Sequence, residues 1–360
     1  MQPSRASRRT GRLADGREII YFDDPSSGSL PPPPPDRRDL PPVPAPAELR
    51  RDRLVDEWVM VATHRQTRTF LPPTRDCPLC PSRGEAQTEI PASDYDVVVF
   101  ENRFPSLPAT EGEGGGPAGR CEVICYSDEH DTSFARLSDE RLATISQAWA
   151  ERSEALAADP GVAYVFCFEN RGEQIGVTLH HPHGQIYAYP FIPPRAERML
   201  AAASAHRERT GSCLACDLLA EELADGRRIV VATDAAVAYV PHAARWPYEI
   251  HVLPRHHVPD LAALSEGDRE ELVRLQADVL HRLDGLFEEP VPYIAGWVQA
   301  PAHEQRDVLH LRLQIVSPQR DIGKLKYLAG SEAAMGAWIN DVLPEDAAQR
   351  LREAPPRPRG

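Results

Sequence analysis

The sequence predicts an α+β protein that contains two copies of one unit of β-strands and helices. Two Cys-x-x-Cys pairs lie 136 residues apart, and two histidines that follow the first pair recur at spacings of 127 and 129 residues. The recurring residues are Cys77, Cys80, His130 and His181 in the first copy, and Cys213, Cys216, His257 and His310 in the second. The same order at similar spacings indicates an internal duplication with differences in loop length.

Length and composition fit a globular protein of two domain-sized units. The 360 residues are 42% hydrophobic and 26% charged, as in ordinary globular proteins. The net charge of −14 disfavours nucleic acid or an anionic membrane as a partner, although a few arginines can still bind a small phosphate. The sequence predicts no membrane-spanning helix, since no apolar run approaches about 20 residues. It also predicts no secretory signal. We therefore expect a cytoplasmic protein.

Four segments are expected along the chain. Residues 1–50 contain five consecutive prolines at positions 31–35, which favour a stiff, extended spacer. They are interpreted as a flexible proline-rich arm, in which residues 18–22 could form one strand. The N-terminal unit is placed at 51–195 and the C-terminal unit at 196–350, followed by a tail at 351–360. A role of the arm as a proline-rich ligand stays open beside the favoured role as linker.

Two serines mark the beginnings of amphipathic helices. Ser138 and Ser265 are suitable N-caps followed by acidic residues, and apolar side chains recur at helical spacing after each. These are Leu142, Ile145, Trp149 and Leu156 in the first helix and Leu272, Leu275, Val279, Leu283 and Leu286 in the second. A further helix is predicted at 195–208. Strands are predicted at 58–62, 96–100, 121–126, 164–168, 237–240, 248–253 and 293–298.

The most informative motif is His181-Pro-His183-Gly-Gln185. Strand-forming residues flank it, and alternate residues of a strand point to the same face. Both histidines and the glutamine would then share a face, where imidazole and amide groups suit metal ligation or nucleophilic attack on phosphorus. The alternative is a strand end with ordinary polar residues.

Two metal sites are predicted, one in each copy. Cys77, Cys80, His130 and His181 form a Cys2His2 set that suits zinc, and four protein ligands leave no open position, so the metal would be structural. A redox dithiol is the rival interpretation. The residues at the equivalent places of the second copy predict a second structural zinc, held by Cys213, Cys216, His257 and His310.

His183 is the candidate nucleophile. A neutral imidazole attacks phosphorus well near neutral pH, provided that an acceptor, here expected to be a backbone carbonyl, holds its other nitrogen. Gln185 can donate a hydrogen bond to a phosphate oxygen in the transition state. Arg312 stands where the second copy would have the nucleophile, so only the first copy is expected to be catalytic.

Residues 181–185 resemble the signature of galactose-1-phosphate uridylyltransferases, within the histidine-triad superfamily. The resemblance covers about residues 47–350. Further matching motifs are Trp58 with His-Arg-Gln-Thr-Arg at 64–68, Phe-Glu-Asn-Arg-Phe at 100–104, Val-Ile-Cys-Tyr-Ser-Asp-Glu-His at 123–130, Phe-Glu-Asn at 168–170, Trp-Pro at 246–247, and Lys326-Tyr327 with Glu332. The resemblance implies two tandem histidine-triad-like domains, each an antiparallel half-barrel sheet with flanking helices.

The resemblance also implies an activity and a set of binding residues. The nucleophile, here His183, would attack the α-phosphorus of UDP-glucose and form a uridylyl-histidine, from which galactose 1-phosphate takes the uridylyl group. The implied contacts are Asn102, Asn170 and Gln185 with the nucleotide and phosphates, Arg65 and Arg68 with the phosphates from the neighbouring subunit, and Lys326 and Glu332 with the sugar. Family members of this kind are homodimers with shared active sites.

Three departures from the family pattern stand out. Arg103 follows Asn102 where many members have aspartate, and Ser331 stands where a sugar-contacting tyrosine is common. The family's second metal site, of glutamate and histidine ligands, is interpreted as lost. Its expected positions are occupied here by Met199, Val298 and His310-Leu-Arg312.

Two other functions stay open at this point. One is a nucleoside-diphosphate-sugar phosphorylase or another nucleotidyltransferase, which would use the same His183 with phosphate as the acceptor. The other is a non-catalytic, metal-stabilised binding module, against which the intact His183 and Gln185 argue.

Overall fold

A computed structural model describes residues 5–28, 30–41, 47–67, 69–84, 86–108 and 118–358. The architecture is α+β, as predicted, with one large antiparallel sheet and six α-helices among the described residues. The strands are β1 (Ser7–Arg12), β2 (Glu18–Asp23), β3 (Glu48–Asp52), β4 (Glu57–Val61), β5 (Val97–Glu101), β6 (Arg120–Cys125), β7 (Tyr164–Arg171), β8 (His183–Tyr189), β9 (Ile229–Ala232), β10 (Ala236–Tyr239), β11 (Tyr248–Pro254), β12 (Tyr293–Val298), β13 (Arg312–Ser317), β14 (Gln319–Asp321) and β15 (Lys324–Leu325). The helices are α1 (Asp139–Ala157), α2 (Pro194–Thr210), α3 (Leu214–Asp225), α4 (Glu266–Asp284), α5 (Gly330–Met335) and α6 (Pro344–Glu353).

The main sheet shows the duplication directly. Its strand order is β1-β2-β5-β6-β8-β7-β12-β13-β11-β10-β9. The order β5-β6-β8-β7 in the first half is mirrored by β10-β11-β13-β12 in the second, and β7 pairs with β12 in antiparallel fashion at the centre. The two copies therefore share one continuous sheet, because the last exposed strand edge of each unit is satisfied by the other.

Helices α1 and α4 cover one face of this sheet. Each helix begins where the sequence predicted. The Ser138 hydroxyl accepts a hydrogen bond from the backbone N–H of Arg141, and the Ser265 hydroxyl accepts one from the backbone N–H of Asp268. The apolar stripes of both helices belong to the largest core cluster, in which Trp149 is 2% exposed. The opposite face of the sheet carries the candidate site. Among the described helices, none is both long and apolar enough to span a membrane.

The strand expected at 18–22 is present as β2, but the predicted flexible arm is wrong for residues 5–28 and 30–41. Strands β1 and β2 extend the main sheet, and β2 pairs with β5. Alternate side chains of β2 enter the cores on its two faces, with Tyr21 and Phe22 fully buried. The proline run itself stays irregular but lies close to the sheet, since the carbonyl of Pro31 accepts from Arg9 Nη1 at 2.8 Å. Burial of this apolar strand outweighs the spacer tendency of the nearby prolines.

The C-terminal boundary and one helix also differ from expectation. Helix α6 crosses position 350, and Leu351 is fully buried, so the predicted tail begins inside packed structure. Helix α3, directly after Cys213, was not predicted. The helix expected at 195–208 is present as α2.

Candidate active site and metal centres

The first predicted metal set is brought together in space. Single ligand atoms of Cys77, Cys80, His130 and His181 all lie within 4.8 Å of one another. Cys80 Sγ lies 3.4 Å from His130 Nδ1 and 3.5 Å from His181 Nδ1. Two thiols and two imidazole nitrogens in so small a volume fit a tetrahedral metal ion, and all seven cysteines of the chain are free of disulfides.

The surroundings of His181 fix which of its nitrogens faces the thiols. His181 is fully buried, and its Nε2 lies 2.7 Å from the carbonyl oxygen of Ser127 and 2.8 Å from the hydroxyl of Tyr95. Because the Tyr95 hydroxyl itself donates to the Leu79 carbonyl, Nε2 is the protonated nitrogen. Nδ1 is then left with a free lone pair for a metal, an arrangement typical of metal-ligating histidines. Burial lowers the pKa of His181 to about 4, which keeps the ring neutral.

The second predicted metal set also converges. Ligand atoms of Cys213, Cys216, His257 and His310 lie within 4.8 Å of one another. Cys216 Sγ lies 3.4 Å from His310 Nδ1 and 3.9 Å from His257 Nδ1. Burial lowers the pKa of His310 to about 4. Both copies therefore hold a cluster that could bind a metal ion.

His181 and His183 do not share a strand face, contrary to the sequence prediction. Strand β8 begins only at His183, and His181 lies in the bend before it. The bend turns His181 towards the cysteines, whereas His183 lines a cavity on the open face of the sheet. His183 Nδ1 lies 2.7 Å from the backbone carbonyl of His181, so Nδ1 carries the proton and Nε2 is available to a substrate. Burial lowers the pKa of His183, which favours this neutral form.

We call the space in front of His183 the His183 cavity; its volume is about 290 Å³. Gln185, Asn102 and Arg65 line it together with His183, and their contact with a substrate stays a prediction. Arg65 belongs to the same chain as this cavity, although the resemblance implied a contribution from a neighbouring subunit. Arg103, at the departure from the family pattern, also lines the cavity and adds a second guanidinium.

A chain of hydrogen bonds joins Arg65 to Gln185 across the cavity wall. Arg65 Nη1 donates to the Ser106 hydroxyl at 2.8 Å, and that hydroxyl lies 3.0 Å from the hydroxyl of Tyr187. The Tyr187 hydroxyl donates to Gln185 Oε1 at 3.2 Å. With its oxygen engaged, the Gln185 amide presents its NH2 group to the cavity. The sequence analysis did not identify Ser106 or Tyr187. Tyr187 lies two residues after Gln185 in a predicted strand, and this spacing could have indicated that the two side chains share a face.

The remaining predicted contacts lie elsewhere. Asn170 borders a smaller cavity of about 40 Å³ that also touches His183. Lys326 Nζ pairs with Glu332 Oε1 at 2.7 Å in the C-terminal half, and neither residue lines the His183 cavity of the same chain. Ser331 lies nearby on α5 with its side chain exposed. Arg68 lies outside the described residues.

The positions interpreted as a lost glutamate-and-histidine site offer no metal ligands together. Met199 and Val298 line a second cavity, described below. The Arg312 guanidinium contacts the Met199 sulfur, and His310 belongs to the cysteine-containing cluster instead.

Family comparison agrees with this geometry. Residues 45–193 match the model of the galactose-1-phosphate uridyl transferase N-terminal domain, and residues 200–357 match that of its C-terminal domain. The chain belongs to the galactose-1-phosphate uridylyltransferase family. A relative named galactose-1-phosphate uridylyltransferase from Streptomyces lividans is 44% identical over 95% of this chain and 96% of its own length. One of the same name from Thermotoga maritima is 37% identical over 85% of this chain and 98% of its own length.

Solved structures resemble this member of the family along most of the chain. A structure of a uridylyltransferase superimposes with a TM-score of 0.75 at 30% identity, covering 85% of this chain and 97% of that one. An ADP-glucose phosphorylase from Arabidopsis thaliana superimposes with a TM-score of 0.67 at 24% identity, covering 86% of this chain and 99% of that one. The second likeness concerns the fold alone.

Proposed function

We propose that this protein moves UMP from UDP-glucose to galactose 1-phosphate through a covalent uridylyl-His183 intermediate. The observation that carries the proposal is the pairing of His183 Nδ1 with the His181 carbonyl at 2.7 Å, beside a cavity lined by Gln185, Asn102 and Arg65. A neutral imidazole with one nitrogen held and the other facing a cavity that carries these polar side chains is prepared for nucleophilic attack.

In the first half-reaction, the lone pair of His183 Nε2 forms a bond to the α-phosphorus of UDP-glucose. The bond from that phosphorus to the bridging oxygen breaks, and glucose 1-phosphate leaves with the electron pair. The ring becomes cationic, and its Nδ1–H donates more strongly to the His181 carbonyl. In the second half-reaction, a phosphate oxygen of galactose 1-phosphate attacks the same phosphorus, Nε2 leaves, and the imidazole is neutral again.

The surrounding side chains stabilise the charge that develops on the phosphate oxygens. Gln185 can donate from its NH2 group, and Arg65 and Arg103 supply positive charge at the same cavity. Preorganised donors of this kind act more strongly in a partly dehydrated site than in water. Because an amide is not basic, Gln185 does not activate water, which favours transfer to the second sugar phosphate over hydrolysis.

We further propose that both cysteine-histidine clusters hold zinc. Two thiolates and two imidazoles match the ligand preference of zinc, and four protein ligands leave no position for a substrate. The ion would fix the conformation of the chain around each cluster rather than take part in the reaction. At the first cluster this includes the carbonyl of His181 that holds His183.

The proposal extends to a cytoplasmic homodimer with shared active sites. Lys326 and Glu332 do not reach the His183 cavity of their own chain, so the sugar contacts implied by the family would come from a second chain. Exposed apolar side chains support such an interface near both regions. They are Leu54, Val55 and Phe70 in the first half, and Ile322, Tyr327, Met335 and Ile339 in the second.

The deciding experiment is intact-mass measurement of the protein mixed with UDP-glucose alone and quenched in base, which preserves a phosphorus–nitrogen bond. The expected result is an adduct of one UMP that disappears when galactose 1-phosphate is added. An adduct removed by inorganic phosphate but not by galactose 1-phosphate would favour a phosphorylase. Absence of any adduct would overturn covalent transfer.

A further inference from the structure

A second cavity lies on the same face of the sheet, between the two halves of the chain. Its volume is about 310 Å³, and we call it the Trp246 cavity. Strands β7 and β8 form one side, strands β12 and β13 another, and the beginning of α2 covers it. Its aromatic walls are Phe166, Tyr164, Tyr189, Trp246 and Trp338. The rings of Trp246 and Trp338 lie 5.6 Å apart between centroids.

Positive charge is in excess around the Trp246 cavity. Arg195 lines it, and the guanidinium groups of Arg195 and Arg245 lie 4.0 and 3.9 Å from one oxygen of Glu249. Arg312 stands behind Met199, with its Nε buried and without a hydrogen-bond partner among the described residues. Its described side-chain contact is the Met199 sulfur, a weak acceptor. Arg195 and Arg245 thus share one carboxylate, and Arg312 has no ion pair among the described residues.

The carboxylate of Glu249 also accepts hydrogen bonds from groups other than these arginine side chains. It is fully buried, accepts the backbone N–H of Arg245 at 2.6 Å, and pairs with His251 and Gln314. Although burial opposes ionisation, these hydrogen bonds and the nearby cations lower the pKa of Glu249 to about 2. Burial also lowers the pKa of Arg195, and the neighbouring Arg245 contributes in the same direction. Arg195 and Arg245 therefore share a single negative charge and are incompletely neutralised by it, which favours an added anion.

The duplication relates the Trp246 cavity to the His183 site of the first copy. Position 312 lies at the 129-residue spacing from His183, and position 314 at the same spacing from Gln185. The second copy thus keeps the amide and carries a guanidinium in place of the nucleophile. A guanidinium binds phosphate well and cannot accept a uridylyl group under these conditions, because it stays protonated.

We propose that the Trp246 cavity is a non-catalytic site for a small organic phosphate. The phosphate group would meet Arg195 and the second N–H of the Gln314 amide, whose first N–H is held by Glu249, with Arg312 behind them. The ring of the ligand would lie against Trp246 and Trp338, since indole faces pack well against sugar and base rings. Sugar phosphates and nucleoside monophosphates share this chemistry.

Titration calorimetry and tryptophan fluorescence with glucose 1-phosphate test the proposal. The wild-type protein is expected to show two classes of site per chain, one of which quenches the fluorescence of Trp246 and Trp338. Arg195→Met should weaken that class at least tenfold, because a charge-assisted hydrogen bond is lost. Arg198→Met is the matched control on the same helix, since Arg198 is exposed, and should retain both classes. Uridylylation by UDP-glucose in a single turnover should stay unchanged in both variants.

The outcomes separate this site from the proposed reaction. A single class of site in the wild type, or equal binding by the Arg195→Met and Arg198→Met variants, would overturn the proposal. Binding of glucose as tight as that of glucose 1-phosphate would overturn the role of the phosphate group. UMP and inorganic phosphate, titrated separately, distinguish a nucleotide from a sugar-phosphate preference. Failure of His183 to form an adduct would leave the second fluorescence response intact.

Discussion

The backbone carbonyl of His181 accepts from Nδ1 of His183 at 2.7 Å, while the imidazole of His181 faces the thiol of Cys80 at 3.5 Å. One residue therefore belongs to the metal cluster through its side chain and holds the candidate nucleophile through its backbone. Because His181 is fully buried and bonded to Ser127 and Tyr95, the carbonyl has little freedom to move. The cluster and the nucleophile are mechanically coupled.

Replacement of His183 should separate catalysis from metal binding. His183→Ala is expected to form no UMP adduct and to lose transferase activity by several orders of magnitude, because the imidazole proposed to attack phosphorus is removed. Its metal content should equal that of the wild type. His180→Ala is the control, since His180 is half-exposed and faces Glu173 at 3.2 Å. An adduct on the His183→Ala protein would contradict the assignment.

Removal of one thiol from each cluster should distinguish the two metal centres. Cys80→Ser and Cys216→Ser are each expected to lose about one equivalent of zinc and to melt at lower temperature, because metal binding stabilises the folded state. Only Cys80→Ser should also slow adduct formation, since its cluster fixes the His181 carbonyl. Metal analysis, thermal melting and single-turnover mass measurements check this. Equal adduct rates in the two variants would contradict the coupling.

The hydroxyl of Tyr187 should matter through the orientation of Gln185. Tyr187→Phe removes the hydrogen bond to Gln185 Oε1, so the amide can rotate and present its oxygen to the phosphate. A loss of about 1 kcal/mol predicts a kcat lower by roughly fivefold, with KM for UDP-glucose less affected. Tyr189→Phe, two residues further along the same strand, is the control. A change in KM alone would assign Tyr187 to ground-state binding instead.

Glu169 should make stability depend on pH. Burial raises the pKa of Glu169 from 4.5 to about 7, although the Tyr293 hydroxyl donates to it at 2.8 Å. As the pH rises above 4.5, the unfolded chain therefore loses the carboxyl proton of Glu169 at a lower pH than the folded protein does. The carboxyl then lowers the free energy of unfolding increasingly between about pH 4.5 and 7, by up to about 3 kcal/mol.

The variant Glu169→Gln isolates that effect. The free energy of unfolding of the variant minus that of the wild type should be larger at pH 8 than at pH 5, as measured by denaturant titration at both values. Exposed Glu304 offers the control Glu304→Gln, for which the difference from the wild type should not change with pH. A pH-independent difference for Glu169→Gln would mean that the buried carboxyl is ionised throughout.

Strand β2 should contribute to global stability. Phe22 is fully buried in the main core, so Phe22→Ala is expected to lower the free energy of unfolding by about 3–5 kcal/mol. Glu208 is exposed on α2, and Glu208→Ala should change it by less than about 0.5 kcal/mol. Chemical denaturation of both variants gives the comparison. Equal effects would restore the interpretation of the N-terminal segment as a detached arm.

Local patterns predicted the parts of this fold that depend on neighbouring residues in the sequence. Ser138 and Ser265 marked the beginnings of α1 and α4 because a cap hydroxyl needs only the first turn of its own helix. The recurrent cysteine and histidine spacing predicted both clusters, since duplicated units place equivalent ligands at equivalent points. The prediction of a flexible arm was wrong because β2 pairs with β5, a strand about 80 residues away in the sequence. No local sequence pattern shows that β5 has a free edge for this pairing.

The sequence by itself determined the two cysteine-histidine sets and the family, because these depend on which residue types recur at which spacing, and it predicted the nucleophile. The tertiary structure decided that His181 and His183 diverge, because β8 begins between them and the metal ligand lies in the preceding bend. It also placed Tyr187 and Ser106 behind Gln185, and brought Arg195 to Glu249. Such contacts join strands and helices far apart in the chain, and only the packing of the sheet brings them within hydrogen-bonding or Coulombic range.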